Sequence, residues 1–404
     1  MTSNWKTSTI GTACSLVTDG SHSSPKSVES GEYMVSVKDF TEYGFDFTSC
    51  RRISSEDYEM LKRNGCVPEQ DDILIGKDGA RYFEDIIIYR QPERPALLSS
   101  IAILRCNKEE ILPEFLYYTL RTPSFKQDVR DNYGSGSAIP RIILKDFKRM
   151  PISFPSLDVQ RQITAVLSIL DQRIQINTKI NDNLQQQAAA IFRSWFVDCV
   201  PFGGTAPDEW ENVTLEGITA LVSRGITPKY ADDTDQIVIN QKCIRNHMID
   251  LSFARSHRPK VINDKWLRFG DLLINSTGDG TLGRAAQVWF QPHNLTVDSH
   301  VTIVRPAAEN MTFYIGLWGT QHEREIESLH TGSTGQTELP RDRVKALELL
   351  LPDKETLNRF NALIAPMAAT IVSNQEENNR LVSIRDALLP RLMSGEIDVS
   401  AIQI

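Results

Sequence analysis

The sequence predicts an α+β chain. Two structurally similar mixed α/β domains are separated by two long helices packed as an antiparallel coiled coil, with pseudo-twofold symmetry. Three observations point there. The chain repeats itself once, at nearly half its length. Each copy ends in a long helical stretch with an unbroken heptad seam. Both seams carry two asparagines at the same depth.

The repeat is read directly. Trp5–Gly20 (WKTSTIGTACSLVTDG) lies on Trp210–Gly225 (WENVTLEGITALVSRG), and Val35–Asp46 on Ile239–Asp250. Asp71–Gly76 (DDILIG) lies on Asp271–Ser276 (DLLINS), Ser99–Arg105 on Ser299–Arg305, and Ile139-Pro140-Arg141 on Leu339-Pro340-Arg341. The offset drifts from 205 through 204 and 200 to 197, so the first copy is slightly longer. The body is kept while the polar tips change, as expected of one scaffold reading two different things.

Four blocks follow. Residues 1–155 form a first mixed domain, 156–200 a central helix, 201–353 a second mixed domain and 354–404 a C-terminal helix. In the first block, Ile73–Ile75, Asp85–Tyr89 and Ile101–Leu104 read as strands bounded by Gly, Pro and Asp. Pro113–Leu120 reads as a helix with Pro in its first turn. Pro151–Pro155 closes the block as a strand.

The second block runs Leu157–Phe196. Ile163, Leu167, Leu170, Ile174, Asn177, Asn181, Leu184, Ala188, Ile191 and Trp195 follow one another in alternating steps of 4 and 3, the spacing of a coiled-coil seam. Some 40 residues at ~1.5 Å each make a rod of roughly 60 Å. The 197 offset reproduces the seam as Phe360, Ile364, Met367, Ile371, Asn374, Asn378, Leu381, Arg385, Leu388 and Leu392. Pro366 should kink this copy or mark where its regular part begins, and Gly395 supplies the stop. Amides in a seam weaken packing but stabilise the one register that lets them bond to each other. Asn177, Asn181, Asn374 and Asn378 therefore point to antiparallel rods with amide layers near the middle. The alternative is that the seam rotates there and all four face solvent.

Composition narrows function. The chain has 404 residues and a formal charge of −8, from 44 basic and 52 acidic side chains. That speaks against a histone-like or indiscriminate DNA binder, though not against local phosphate contacts. One stretch, Gln241–Arg268, is basic: Lys242, Arg245, Arg255, Arg258, Lys260, Lys265 and Arg268 stand against Asp250 and Asp264. A plain solvated loop would read the same. The six cysteines (14, 50, 66, 106, 199 and 243) form no CxxC pair and read as reduced thiols of a cytoplasmic protein. No apolar run approaches a membrane span, and the first residues lack the apolar core of a signal peptide.

Catalytic signatures are missing. Gly278-Asp279-Gly280-Thr281-Leu282-Gly283 matches the dinucleotide fingerprint G-x-G-x-x-G. The following RAAQVWF reads as a strand rather than a phosphate-capping helix, so a turn between strands explains the glycines. There is no P-loop, no Pro-Pro pair for an adenine-methyltransferase signature, no HExxH and no nucleophile elbow. The sequence predicts no metal site, no cofactor of its own and no catalytic residue.

In this order, twice over, the segments DDILIG and GDLLINSTGDG, GSGSAIPR and TGSTGQTELPR, the Pro-bracketed closing strands, LDVQRQITAVLSILDQRI and LLPRLMSGEIDV resemble the specificity (S) subunits of type I restriction-modification enzymes. The resemblance covers nearly the whole chain; Pro366 is its one departure. It implies two target recognition domains, each reading half of a bipartite, asymmetric site in double-stranded DNA. It also implies a coiled-coil ruler that docks two modification subunits. Those subunits would bind S-adenosylmethionine and methylate adenine, and restriction/translocase subunits could join them.

Base reading needs bidentate donors, Arg or Lys for guanine and Asn or Gln for adenine. Where the copies align but their polar tips differ, the candidates are Lys77, Arg81, Ser135, Ser137 and Arg141 in the first domain. In the second they are Lys242, Arg245, Asn275, Ser276, Arg284, Ser333, Thr334, Gln336 and Arg341. A structural or solvent-facing role competes for each. Two other readings compete for the whole: a stand-alone enzyme, which would methylate or cut DNA without partners, and a protein-only scaffold, which specific DNA footprinting would exclude.

Overall fold

The computed structural model describes residues 5–134, 140–232, 234–258, 260–278, 280–332 and 337–399. It divides into two units: Met1–Arg173 with Arg380–Ile404, and Ile174–Asn379. Each holds one mixed domain and a portion of both long helices.

In the first unit, Lys6–Thr9 pairs antiparallel with Pro151–Phe154. A four-stranded antiparallel sheet runs in the order Cys14–Asp19, Ile101–Cys106, Ile73–Gly76, Ile86–Ile88. A second sheet sets Glu32–Val35 between Arg51–Ile53 and Ala96–Leu97, the latter pairing parallel. Phe40–Thr41 and Gly44–Phe45 make a hairpin.

The second unit repeats this list. Glu211–Thr214 pairs with Glu348–Leu351. The four-stranded sheet runs Thr219–Arg224, Val301–Pro306, Leu272–Asn275, Ala285–Gln287. Ile237–Ile239 lies between Arg255–Ser256 and Leu295–Val297, and Ile244–Arg245 with Met248–Ile249 is the hairpin.

The central strand shows why the scaffold tolerates copying. Successive side chains of a strand face opposite ways. Ile73 and Ile75 join the core under the helices, while Leu74 joins a separate cluster with Ile87, Ile101 and Ile103. In the second unit Leu272 and Ile274 divide from Leu273 in the same manner. A strand buried on both faces needs an unbroken apolar run, and ILI and LLI supply it. Each strand is preceded by a buried aspartate that clamps an arginine, half-buried in the first unit and buried in the second. Asp72 takes two bonds from Arg105, both 2.9 Å, and Asp271 takes two from Arg305 at 2.8 and 2.7 Å. Backbone N–H groups of Glu69 and Arg268 cap the same carboxylates. Gly20 and Gly225 pass so close to Leu97 and Val297 that a Cβ would meet a carbonyl oxygen at 2.3 and 1.9 Å.

The long helices span Leu157–Phe192 and Lys354–Met393. Pro366 does not end the second. It sits on the exposed face, where the Ala362 carbonyl deprived of its N–H partner can turn to water. Within the second unit the helices pack antiparallel through Ala188, Phe192, Phe360, Ile364, Ala368 and Ile371. The predicted amide layers are there: Asn177 Nδ2 donates to Asn378 Oδ1 at 2.9 Å, and Asn374 Nδ2 to Asn181 Oδ1 at 2.9 Å. Asn177 also reaches Glu377 at 2.8 Å. In the first unit the same helices enclose a layer of another kind. Arg385 donates to Asp171 at 2.9 Å, and the Tyr118 hydroxyl donates to the other carboxylate oxygen at 2.7 Å.

Candidate nucleic-acid interface

In each unit the strand-end loop meets the described residues that follow the Gly/Ser turn. In the first, the turn after strand Ile73–Gly76 bonds to the segment after the Gly/Ser turn: Ile142 N–H to Lys77 O at 3.0 Å and Gly79 N–H to Pro140 O at 2.9 Å. In the second, Leu339 N–H donates to Ser276 O at 2.8 Å, and Thr277 bridges to Glu338. The start of the basic stretch joins them, through Asn275 Nδ2 to Gln241 O at 3.0 Å and Thr277 Oγ1 to Gln241 Oε1 at 3.1 Å. Ser135, Ser137, Ser333, Thr334 and Gln336 lie outside the described residues.

The remaining candidates separate by burial. Arg81 is exposed and pairs with Asp85 at 2.9 Å. Arg141 is exposed beside Asp78. Lys242 and Arg245 are exposed, the latter 5.2 Å over the Phe253 ring. Arg284 is half-buried and donates to Gly280 O at 2.8 Å. Arg341 is exposed beside Asp342.

Lys77, Asn275 and Ser276 need correcting as base contacts. The Lys77 ammonium is buried between Asp19 at 3.4 Å and Asp78 at 3.5 Å. Asn275 and Ser276 are fully enclosed, and Ser276 Oγ bonds Thr302 Oγ1 at 2.6 Å. A group that is closed in cannot meet a base edge. These three hold the strand ends that present their neighbours.

Two cations were not among the candidate contacts, although Lys265 lies in the basic stretch. Arg224 and Lys265 line a polar recess of about 310 Å³ together with Arg341. Arg224 donates to Glu338 and, at 2.8 Å, to Leu339 O, while Lys265 Nζ donates to Gly225 O at 3.0 Å. A signal was present in the repeat, because Arg224 occupies the place of Asp19. Where the first unit buries an acid for Lys77, the second puts a cation at its rim. On the next sheet Arg255 lies 3.7 Å over the exposed Tyr230 ring. The G-x-G-x-x-G run lies between antiparallel strands Leu272–Asn275 and Ala285–Gln287, with a strand and not a helix after it. Gly283 there has φ +81° and abuts helix Glu323–Ser328.

A family model described as the type I restriction modification DNA specificity domain matches residues 3–186. The type I restriction enzyme MjaIX specificity subunit of Methanocaldococcus jannaschii is 26% identical over 72% of this chain and 71% of its own length. The HindI specificity subunit of Haemophilus influenzae is 23% identical over 73% and 80%. The chain is similar to type I specificity subunits over most of its length. The crystal structure of the S subunit from M. genitalium shares its fold, with a TM-score of 0.53 at 15% identity over 96% of each chain. The matched domain is a DNA specificity domain, and both relatives are specificity subunits of type I restriction enzymes. Among the chain's described residues no helix is long and apolar enough to cross a membrane.

Proposed function

We propose that this chain is a non-catalytic specificity subunit of a type I restriction-modification complex and reads a bipartite, asymmetric site in double-stranded DNA, one half with residues 1–155 and the other with 201–353. The paired long helices would dock two modification subunits, which bring S-adenosylmethionine and methylate adenine in the cytoplasm. One observation carries the reading. The two units keep the same strand order and the same Asp–Arg clamp while the charged groups at their strand ends differ, Asp19 with Lys77 in one and Arg224 with Glu338 in the other. Equal scaffolds with unequal tips suit unequal half-sites. Twofold-like readers contact half-sites about one helical turn apart, or a multiple, roughly 34 Å per turn. A net charge of −8 is compatible with this if partner subunits supply much of the phosphate contact.

Of the candidate contacts, Arg81, Arg141, Lys242, Arg245, Arg284 and Arg341 keep solvent access, and Arg224 and Lys265 join them. The test is methylome sequencing of a host expressing this chain with its modification partner. The expected outcome is one split motif with a methylated adenine in each half. A continuous motif, or methylation without sequence preference, would defeat the reading.

A further inference from the structure

The second unit contains a cavity of about 460 Å³ that the DNA reading leaves unused. Asp182 and Ala189 of the first long helix, Gln375 of the second, the hairpin turn at His247, and Trp289 with Phe290 line it. One buried acceptor there lacks a donor: Gln375 Oε1 is enclosed without a hydrogen-bond partner. Buried acceptors left unsatisfied are rare and costly. Asp182 sets a carboxylate at the exposed edge of the cavity, where the desolvation it does feel raises its pKa.

The first unit shows the corresponding place filled. There Arg385 spans Asp171 at 2.9 Å and Asp386 at 2.8 Å, Tyr118 bonds Asp171, and Tyr43 from the matching hairpin turn is buried near Asp171 and Tyr117. The 197 offset turns Asp171, Arg385 and Asp386 into Ala368, Ala188 and Ala189, and Tyr43 becomes His247. Helix Pro113–Arg121 contributes Tyr117 and Tyr118, whereas its counterpart Thr312–Gln321 puts Gly316 and Leu317 on the cavity wall. Large polar side chains became small ones at these positions; Ala189 lines the cavity, while Ala188 and Ala368 pack between the helices.

We propose that this cavity takes a guanidinium group supplied from outside the chain, its N–H groups meeting Asp182 and the Gln375 carbonyl beside Trp289 and Phe290. Guanidinium has only donors, in a flat fork, and favours aromatic neighbours. An anion would face Asp182, and an acceptor would set lone pairs against lone pairs. The group has two sources: an arginine of a docked modification subunit, which rests on the function proposed above, or a free guanidinium compound.

The test uses the full chain, with n-butylguanidinium as the free probe, n-butylammonium as its control, and co-purification with the modification subunit as the second arm. Asp182→Asn removes the charge, and Ala189→Arg fills the cavity from within; both are checked for wild-type thermal unfolding. Guanidinium binding that is about tenfold weaker in D182N and lost in A189R, with the ammonium bound less well, establishes the site for a free ligand. Silence from the probe with about tenfold weaker subunit assembly in both variants assigns it to a partner's arginine. The proposal is overturned by a silent probe with unchanged assembly, or by probe binding that A189R leaves intact or that the ammonium matches. Should wild-type chain assemble with no modification subunit, the functional reading fails by itself and the probe arm alone decides the cavity.

Discussion

The two portions of the coiled coil solve one packing problem in opposite ways. Where the first unit buries Asp171 against Arg385, with Tyr118 on the second carboxylate oxygen, the second unit sets Ala188 and Ala368, both fully enclosed. Burying an ion pair costs desolvation that its Coulomb attraction offsets only with good geometry, and a well-packed apolar layer is often as stable. The charged layer is thus no stronger by default. It is less forgiving, because Asp171 loses its cation when Arg385 is removed, whereas Arg385 keeps only the more exposed Asp386 when Asp171 is removed. Arg385→Ala should destabilise the first unit by about 3–5 kcal/mol, the largest single effect expected in the chain. Asp171→Ala with Arg385→Ala, which recreates the alanine layer of the other unit, should recover a large part of that loss. Urea unfolding of the two single variants and the double would measure the coupling. Additive losses would mean that the pair is not a unit.

The amide layers sit between these extremes. Asn181 is buried and its Oδ1 accepts from Asn374, so Asn374→Leu leaves a closed-in carbonyl unsatisfied, at a cost of about 1–3 kcal/mol. Replacing both Asn181 and Asn374 by leucine should restore or exceed wild-type stability while loosening the register. A thermal melt would show the first effect. Disulfide trapping at shifted positions along the two helices would show the second, and a double variant that traps only the native register would remove the register role of these amides.

Much of this fold could be read from sequence because its determinants are local and repeated. The heptad steps, the apolar runs ILI and LLI, and the matched asparagines need no tertiary knowledge. The charged layer was not legible. Arg385 stands in the seam by spacing, but Asp171 lies one residue past Leu170, and only the fold brings Tyr118 and Arg385 to it. The candidate interface divided for a similar reason. Lys77, Asn275 and Ser276 were chosen as polar residues at strand ends, and a residue type does not reveal whether its partner closes over it. Asp19 is 58 residues from Lys77 in the chain, and Thr302 is 26 from Ser276.

The tips give a further comparison. Arg341 and Arg141 hold matching places after the two Gly/Ser turns, and each is exposed. Arg341→Ala should weaken binding by about 1–3 kcal/mol through one half-site only, and Arg141→Ala through the other. Mobility shifts on DNA with either half scrambled would separate them. Equal loss on both halves would turn both residues into general phosphate contacts.

The smallest effect concerns the two hairpin turns. His247 lies 3.5 Å from Glu323, whose hydrogen bond and charge raise its pKa above the ordinary 6.5. Its counterpart Tyr43 is raised from 10.0 by burial and stays neutral throughout the same range. A cation favoured by folding contributes its full stabilisation below the unfolded-state pKa and loses it as pH rises through the folded-state value. The second unit alone should therefore weaken between the slightly acidic range and pH 8.5. With about half its side chain exposed, His247 should contribute well under ~1 kcal/mol. Urea midpoints of wild type and His247→Gln should differ at pH 5.5 and converge at pH 8.5, while Tyr43→Phe shows the same offset at both. A His247→Gln offset that persists at pH 8.5 would assign the effect to packing of the turn rather than to the charge.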